Sequence, residues 1–130
     1  MALNSHLNDT GANAACNAVT ALCNNGFIDL MSGAQPAANG AATTVLASLT
    51  LGATAFGAAT GGTASANTIG SAAATATGDA TWFRVYQSDH ITPVFDGSVA
   101  TSLANLVLNS VSIQVGATVA VASLFFTITE

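Results

Sequence analysis

Ala80-Thr81-Trp82-Phe83-Arg84-Val85-Tyr86-Gln87 is the stretch that decides the fold. Aromatic and β-branched residues fill it, and they suit a pleated, half-buried surface. Alternation with a period of two places Trp82, Arg84 and Tyr86 on one face and Phe83 and Val85 on the other. The turn-forming Ser88-Asp89-His90-Ile91-Thr92 follows, and Pro93-Val94-Phe95-Asp96 returns as the second arm of a hairpin. In a hairpin centred near residue 90, Asp96 comes opposite or close to Arg84. Stacking of Arg84 on a neighbouring aromatic and pairing with that carboxylate is therefore the expected structural arrangement.

The same alternation recurs on both sides. Phe27-Ile28-Asp29-Leu30-Met31 reads as a short strand. Val45, Ala47, Leu49 and Leu51 alternate with Leu46, Ser48 and Thr50 as a half-buried one. Leu103–Leu108, Val111–Val115 and Thr118–Thr129 supply three more, with breaks at Asn109-Ser110 and Gly116-Ala117. Asp96-Gly97-Ser98 reads as a turn. The last strand is apolar on both faces, which predicts a central position or a change of face at a bulge near Ser123. The Thr63–Gly78 run is rich in alanine, but its Thr/Ser alternation and its lack of long helix formers argue for extended structure. Ala53–Gly62 is a loop, or a strand pinned by Phe56.

One segment has the other period. Ala12, Ala15, Cys16, Val19, Leu22 and Cys23 recur at spacings of three and four, predicting a helix over about residues 11–25. Asp9 or Thr10 is the expected cap, and Asn24-Asn25-Gly26 the stop, with Gly26 in the left-handed position. Residues 1–10 form a polar arm ahead of it. The expected architecture is one domain over residues 11–130, mainly β: an antiparallel β-sandwich, jelly-roll or immunoglobulin-like, with one N-terminal α-helix.

Composition narrows function. Only 5% of the 130 residues are charged, and a single arginine, Arg84, faces six carboxylates for a net charge of −5. Ordinary soluble domains carry about 25% charged residues. One arginine cannot neutralise a row of phosphates, so neither nucleic acid nor an anionic membrane surface is an expected partner. No apolar run reaches the roughly 20 residues of a membrane span. So neutral a surface tends to associate, which suggests a protein that works inside an assembly. The N-terminus shows neither the basic nor the apolar region of a signal peptide, so none is expected.

Catalytic raw material is scarce. Asp89-His90 is the one Asp-His neighbour pair; adjacent residues in a turn point apart, and a solvated turn dipeptide is the simpler reading. Gly57-Ala58-Ala59-Thr60-Gly61-Gly62 matches neither phosphate-loop nor dinucleotide patterns. The spacings of Asp79, Asp89 and Asp96 fit no calcium loop. Cys16 and Cys23 stand two helical turns apart, about 10.5 Å. That is beyond disulfide reach, and no further Cys or His nearby completes a zinc site. No catalytic, metal or cofactor site is expected. The candidate partner contacts are Trp82, Arg84 and Tyr86.

The run Ala80–Asp89, followed by Val94-Phe95-Asp96-Gly97-Ser98-Val99 and Leu106–Ile113, resembles a family of small structural proteins of tailed bacteriophages. The Asn13-Ala14-Ala15-Cys16-Asn17-Ala18 helix, the Gln35-Pro36-Ala37 loop and Phe56-Gly57-Ala58-Ala59 are similar as well. The resemblance runs from about Gly11 onward and is most specific over Thr81–Val99. Phe27–Met31 is less polar than the family pattern, and Asp89–Thr92 lacks its turn glycine. The resemblance implies a non-enzymatic virion component, made in the host cytoplasm and assembled without a cofactor. A capsid decoration (cement) protein on the capsid surface is the leading expectation. Its partner would be the major capsid protein, and it would form a homo-oligomer, a trimer or other cyclic cluster. A tail, neck or fibre-associated adaptor or host-contact protein is the alternative, with Trp82 and Tyr86 as binding anchors. A small phage hydrolase working through Asp89 and His90 is a third reading, opposed by the missing acid/base constellation.

Overall fold

A computed structural model of the chain describes residues 4–128. The fold is mainly β with one helix, α1 (Asp9–Ala21). The longer strands are β1 (Phe27–Ser32), β2 (Thr44–Leu51), β7 (Trp82–Tyr86), β8 (Pro93–Ala100) and β12 (Val121–Thr127). Between them lie the short strands β3 (Thr63–Ser65), β4 (Ile69–Gly70), β5 (Ala72–Ala73), β6 (Gly78–Asp79), β9 (Leu106–Leu108), β10 (Ser112–Ile113) and β11 (Thr118–Val119).

Eight strands form one sheet in the order β3-β12-β9-β8-β7-β1-β2-β4. Laid flat, its two edges would stand about 34 Å apart, seven spacings of about 4.8 Å. Yet the edge strands β3 and β4 are joined by only Ala66, Asn67 and Thr68, whose extended reach is about 14 Å. The sheet must therefore curl until its edges nearly meet, enclosing one core in a sandwich-like form. Two-stranded ladders, β10-β6 and β11-β5, accompany it. All pairs are antiparallel except β8–β9, which is parallel.

Register sorts the side chains into two faces. Ala47, Leu30, Phe83 and Gly97 form one lateral row and Leu49, Ile28, Val85 and Phe95 another, both facing inward. Gly97 is a strand residue, not a turn, because the Phe83 ring lies over it. A Cβ there would stand 2.6 Å from two ring carbons. In β2 a bulge opposite Leu30/Met31 admits an extra residue. Leu46 is thus fully buried and Val45 only half-buried, the reverse of simple alternation. The bulge expected near Ser123 is present, between Val121 and Ser123.

The helix starts two residues earlier than expected and stops at Ala21, about four residues short of the expected end. Asn8 is its N-cap, so the arm ends at Asn8. Ala12, Cys16 and Thr20 are buried beneath it, while Leu22, expected inside, is 49% exposed just past its end, and Cys23 takes the buried place. Asn25, not Gly26, is left-handed (φ 58°). Gly26 is glycine for space, since a Cβ would stand 2.2 Å from the Tyr86 carbonyl oxygen. Two asparagines of the helix and one in the turn after it act as a substitute sheet edge for the 53–62 loop. Asn13, Asn17 and Asn24 accept the backbone N–H groups of Gly62, Ala59 and Ala55 at 2.8, 2.9 and 2.9 Å. These groups would otherwise be orphaned near the core.

The expected strand over 103–108 begins only at Leu106. Asn105 clamps back on Ser98, accepting its N–H and hydroxyl at 3.2 and 3.1 Å, and this bends the chain so that Leu103 is fully exposed with φ 53°. Gly97→Ala is expected to destabilise the fold by about 1–3 kcal/mol through overpacking. Asn13→Ala is expected to cost about 1–3 kcal/mol for the stranded Gly62 amide. Urea denaturation of each variant against the parent chain measures both.

Candidate functional site

The polar side chains of the central sheet lie on its outer face, in register. Ser48, Asp29, Arg84 and Asp96 are lateral neighbours across β2, β1, β7 and β8. Arg84 binds Asp96 through both ends of its fork, Nε to Oδ1 at 2.7 Å and a terminal nitrogen to Oδ2 at 3.0 Å. The same terminal nitrogen donates to the Gly40 carbonyl at 2.8 Å. The guanidinium carbon sits 5.2 Å from the centre of the Trp82 ring. Asp96 thus holds the Arg84 pKa above its ordinary value, against the opposing effect of burial, and the Tyr86 hydroxyl adds to the shift.

Two segments cover this face. The strap 33–43, linking β1 to β2, is tied down at Gly40 by Arg84 and at Thr43, whose hydroxyl accepts the Trp82 indole N–H at 2.9 Å. The β7–β8 turn covers the other end. There His90 adopts φ 56°, stacks on Phe27 with ring centres 4.2 Å apart, and meets Tyr86 edge-on. Its Nε2 lies 2.9 Å from Asp29 Oδ1, the oxygen that also accepts the Ser48 hydroxyl at 2.7 Å.

His90 is therefore a half-buried clasp on β1 and not a solvated turn residue. Asp89 works separately. Its carboxylate accepts the N–H groups of Ile91 and Thr92 and the Thr92 hydroxyl, so Asp89 and His90 form no dyad. Ser48, Asp29 and His90 do meet, but the carboxylate stands in the middle. Ser48 donates to Asp29 and not to the imidazole, which reverses the nucleophile–base–carboxylate order that activates a serine. Among the described residues no three His, Cys, Asp or Glu side chains gather as a metal site. Cys16 and Cys23 are both free and buried. Burial raises both thiols, Cys23 to about 12.

Of the residues expected to touch a partner, Trp82 is fully buried and Arg84 6% exposed, both beneath the chain's own strap; Tyr86 is half-buried. Beside them a cleft of about 360 Å³ opens between Gln35, Pro36, Ala38 and Asn39 of the strap and Pro93–Asp96 of β8. No pattern in the residues signals this cleft, since the strap's path depends on what Arg84 and Trp82 do with their spare hydrogen-bonding groups. Comparison with protein-family models, curated proteins and solved structures finds no match in any of the three.

Replacing Arg84 by Met is expected to cost about 3 kcal/mol or more, because Asp96 and the Gly40 carbonyl lose their shared partner; chemical denaturation reads this. Hydrogen bonds from Thr92, hydroxyl first, and from the Ile91 amide hold Asp89 below the ordinary carboxylate range. The turn clamp is then complete at neutral pH and is released only as pH falls through that lowered value. The Ile91 and Thr92 amide resonances should accordingly titrate with a midpoint below about 3.9. Both thiols should resist Ellman's reagent in the folded chain and react fully in denaturant.

Proposed function

We propose that the chain is a structural protein of a tailed-bacteriophage virion. In the leading form of this reading it is a decoration (cement) protein that docks on the assembled head and stabilises it without chemistry of its own. The observation that carries the reading is the fate of charge. The one cation of the chain is consumed internally by Asp96 and Gly40, leaving a surface dominated by hydroxyls, amides and small apolar groups. Such a surface recognises a partner by shape and neutral contacts, in keeping with a lattice protein and against phosphate or membrane recognition. The resemblance of Thr81–Val99 to small phage structural proteins points the same way.

The mechanism is mass action: a ligand that binds only the assembled shell stabilises it by RT ln(1 + [L]/Kd) at every site. The partner is the major capsid protein, and cyclic clustering of copies would repeat the contact around each capsomer axis. The helix belongs to the body of the fold, since Ala12, Cys16 and Thr20 are part of the buried interior. Ahead of it, the exposed Asn4–Asn8 is the segment free to reach a neighbouring capsomer. A tail, neck or fibre placement draws support from one feature, the Ser88–Thr92 turn. Asp89 and His90 hold it firmly, and it presents Ile91 at 77% exposure.

Antibody-gold labelling of intact virions separates the two. The decoration reading expects dense, even label over the head. Label confined to a collar, tail tip or fibre overturns it in favour of the second placement, and absence of label from purified virions overturns both.

A further inference from the structure

Strand β8 is paired with β7 from Pro93 to Ser98, but on its other side β9 reaches only Val99 and Ala100. From Pro93 to Gly97 that second edge has no strand beside it. The Val99 N–H donates toward β7, to the Thr81 carbonyl, whereas the Ser98 N–H points the opposite way, to Asn105. By strand alternation the N–H and C=O of Asp96 also face the open side. The cleft of about 360 Å³ opens on the outer face of this same stretch, with Pro93–Asp96 and Arg84 on one side and the strap on the other, so no segment of the chain itself packs over the start of β8 there. A strand added to the free edge would lie beside β8 at the usual spacing of about 4.8 Å.

The chain also carries a segment of matching kind. Asn4–Asn8 is exposed at every position and lies in no helix or strand. Among the described residues its one backbone tie is the Asn8 carbonyl, which accepts the Ala12 N–H. These five residues span about 17 Å when extended, as does the five-residue open edge. They include no carboxylate, so they approach the β8 edge without like-charge repulsion in a chain of net charge −5. The charged residues of the neighbouring cleft, Arg84 and Asp96, already satisfy each other.

We infer that Asn4–Asn8 of one copy adds as an extra strand to the open β8 edge of a second copy, at Pro93–Gly97. Main-chain hydrogen bonds supply the affinity, as in other strand additions. Passed from copy to copy, the contact is heterologous and closes into a ring when the rotation permits. The inference deepens the homo-oligomer part of the proposal above and rests on that part alone, whichever region of a virion the protein occupies.

The test uses purified full chain. Sedimentation velocity should show an oligomer, and a variant beginning at Asn8, with the helical circular dichroism unchanged, should sediment as a monomer. Separately, Leu7→Cys and Val94→Cys chains carrying different mass tags are mixed and mildly oxidised; Cys16 and Cys23 stay buried in both. The mixed disulfide should exceed either like-with-like product several-fold. A monomeric full chain, an oligomer that survives loss of the arm, or no excess of the mixed product would overturn the inference. Because no virion is present, these outcomes stand apart from the labelling result.

Discussion

The bidentate Arg84–Asp96 pair is the constraint on which the outer half of the molecule depends. A guanidinium 6% exposed must have its charge and donors met close by. Asp96 does the first, and the strap does part of the second through the Gly40 carbonyl. The strap is thereby drawn over Trp82, whose indole N–H then finds Thr43. Without the pair, the strap keeps only the ties at its two ends, Gly33 to Thr81 and Thr43 to Trp82, and its middle is no longer held to this face. The cleft along β8 follows from where the strap is pinned.

A similar logic governs the other end of the face. Asp29 is a buried carboxylate in mid-strand, met by Ser48 on one side and His90 on the other. The left-handed backbone at His90 is held by stacking on Phe27 and by Asp89 bracing the residues that follow. Charge is thus used sparingly, and the one arginine is turned inward with Asp96 and Asp29, while Asp9, Asp79 and Asp89 are left outside. What remains outside is mostly neutral, which fits a protein selected for lattice contacts better than one that steers ions or polyanions.

Much of this was legible in the residues. Alternation over Trp82–Tyr86 and the length of the following turn placed Asp96 against Arg84, and the two-faced apolar run at the end placed the bulge near Ser123. The failures have physical causes. Gly97 resembles a turn glycine locally, but it answers to the Phe83 ring across the ladder. Leu46 broke the alternation because a bulge in a neighbouring pair is invisible in one strand's pattern. The asparagines of α1 looked merely polar, although their acceptors replace a strand edge for a loop more than forty residues away in the case of Asn13 and Asn17. The open β8 edge could not be foreseen, since it arises from β9 stopping short. Trp82 and Arg84 read as partner contacts because a lone arginine among aromatics invites that inference, whereas the strap takes that place within the chain.

With its one arginine consumed inside the fold, the protein must recognise its partner without exposed positive charge. The most direct test is the salt dependence of binding between the purified protein and phage heads that lack it, measured by co-sedimentation from about 50 mM to about 500 mM salt. Across that range the Debye length shrinks from over 10 Å to under 5 Å. Affinity should be unchanged or slightly higher at high salt. A steep loss of binding as salt rises, or no binding to heads at any salt, would contradict recognition of this kind.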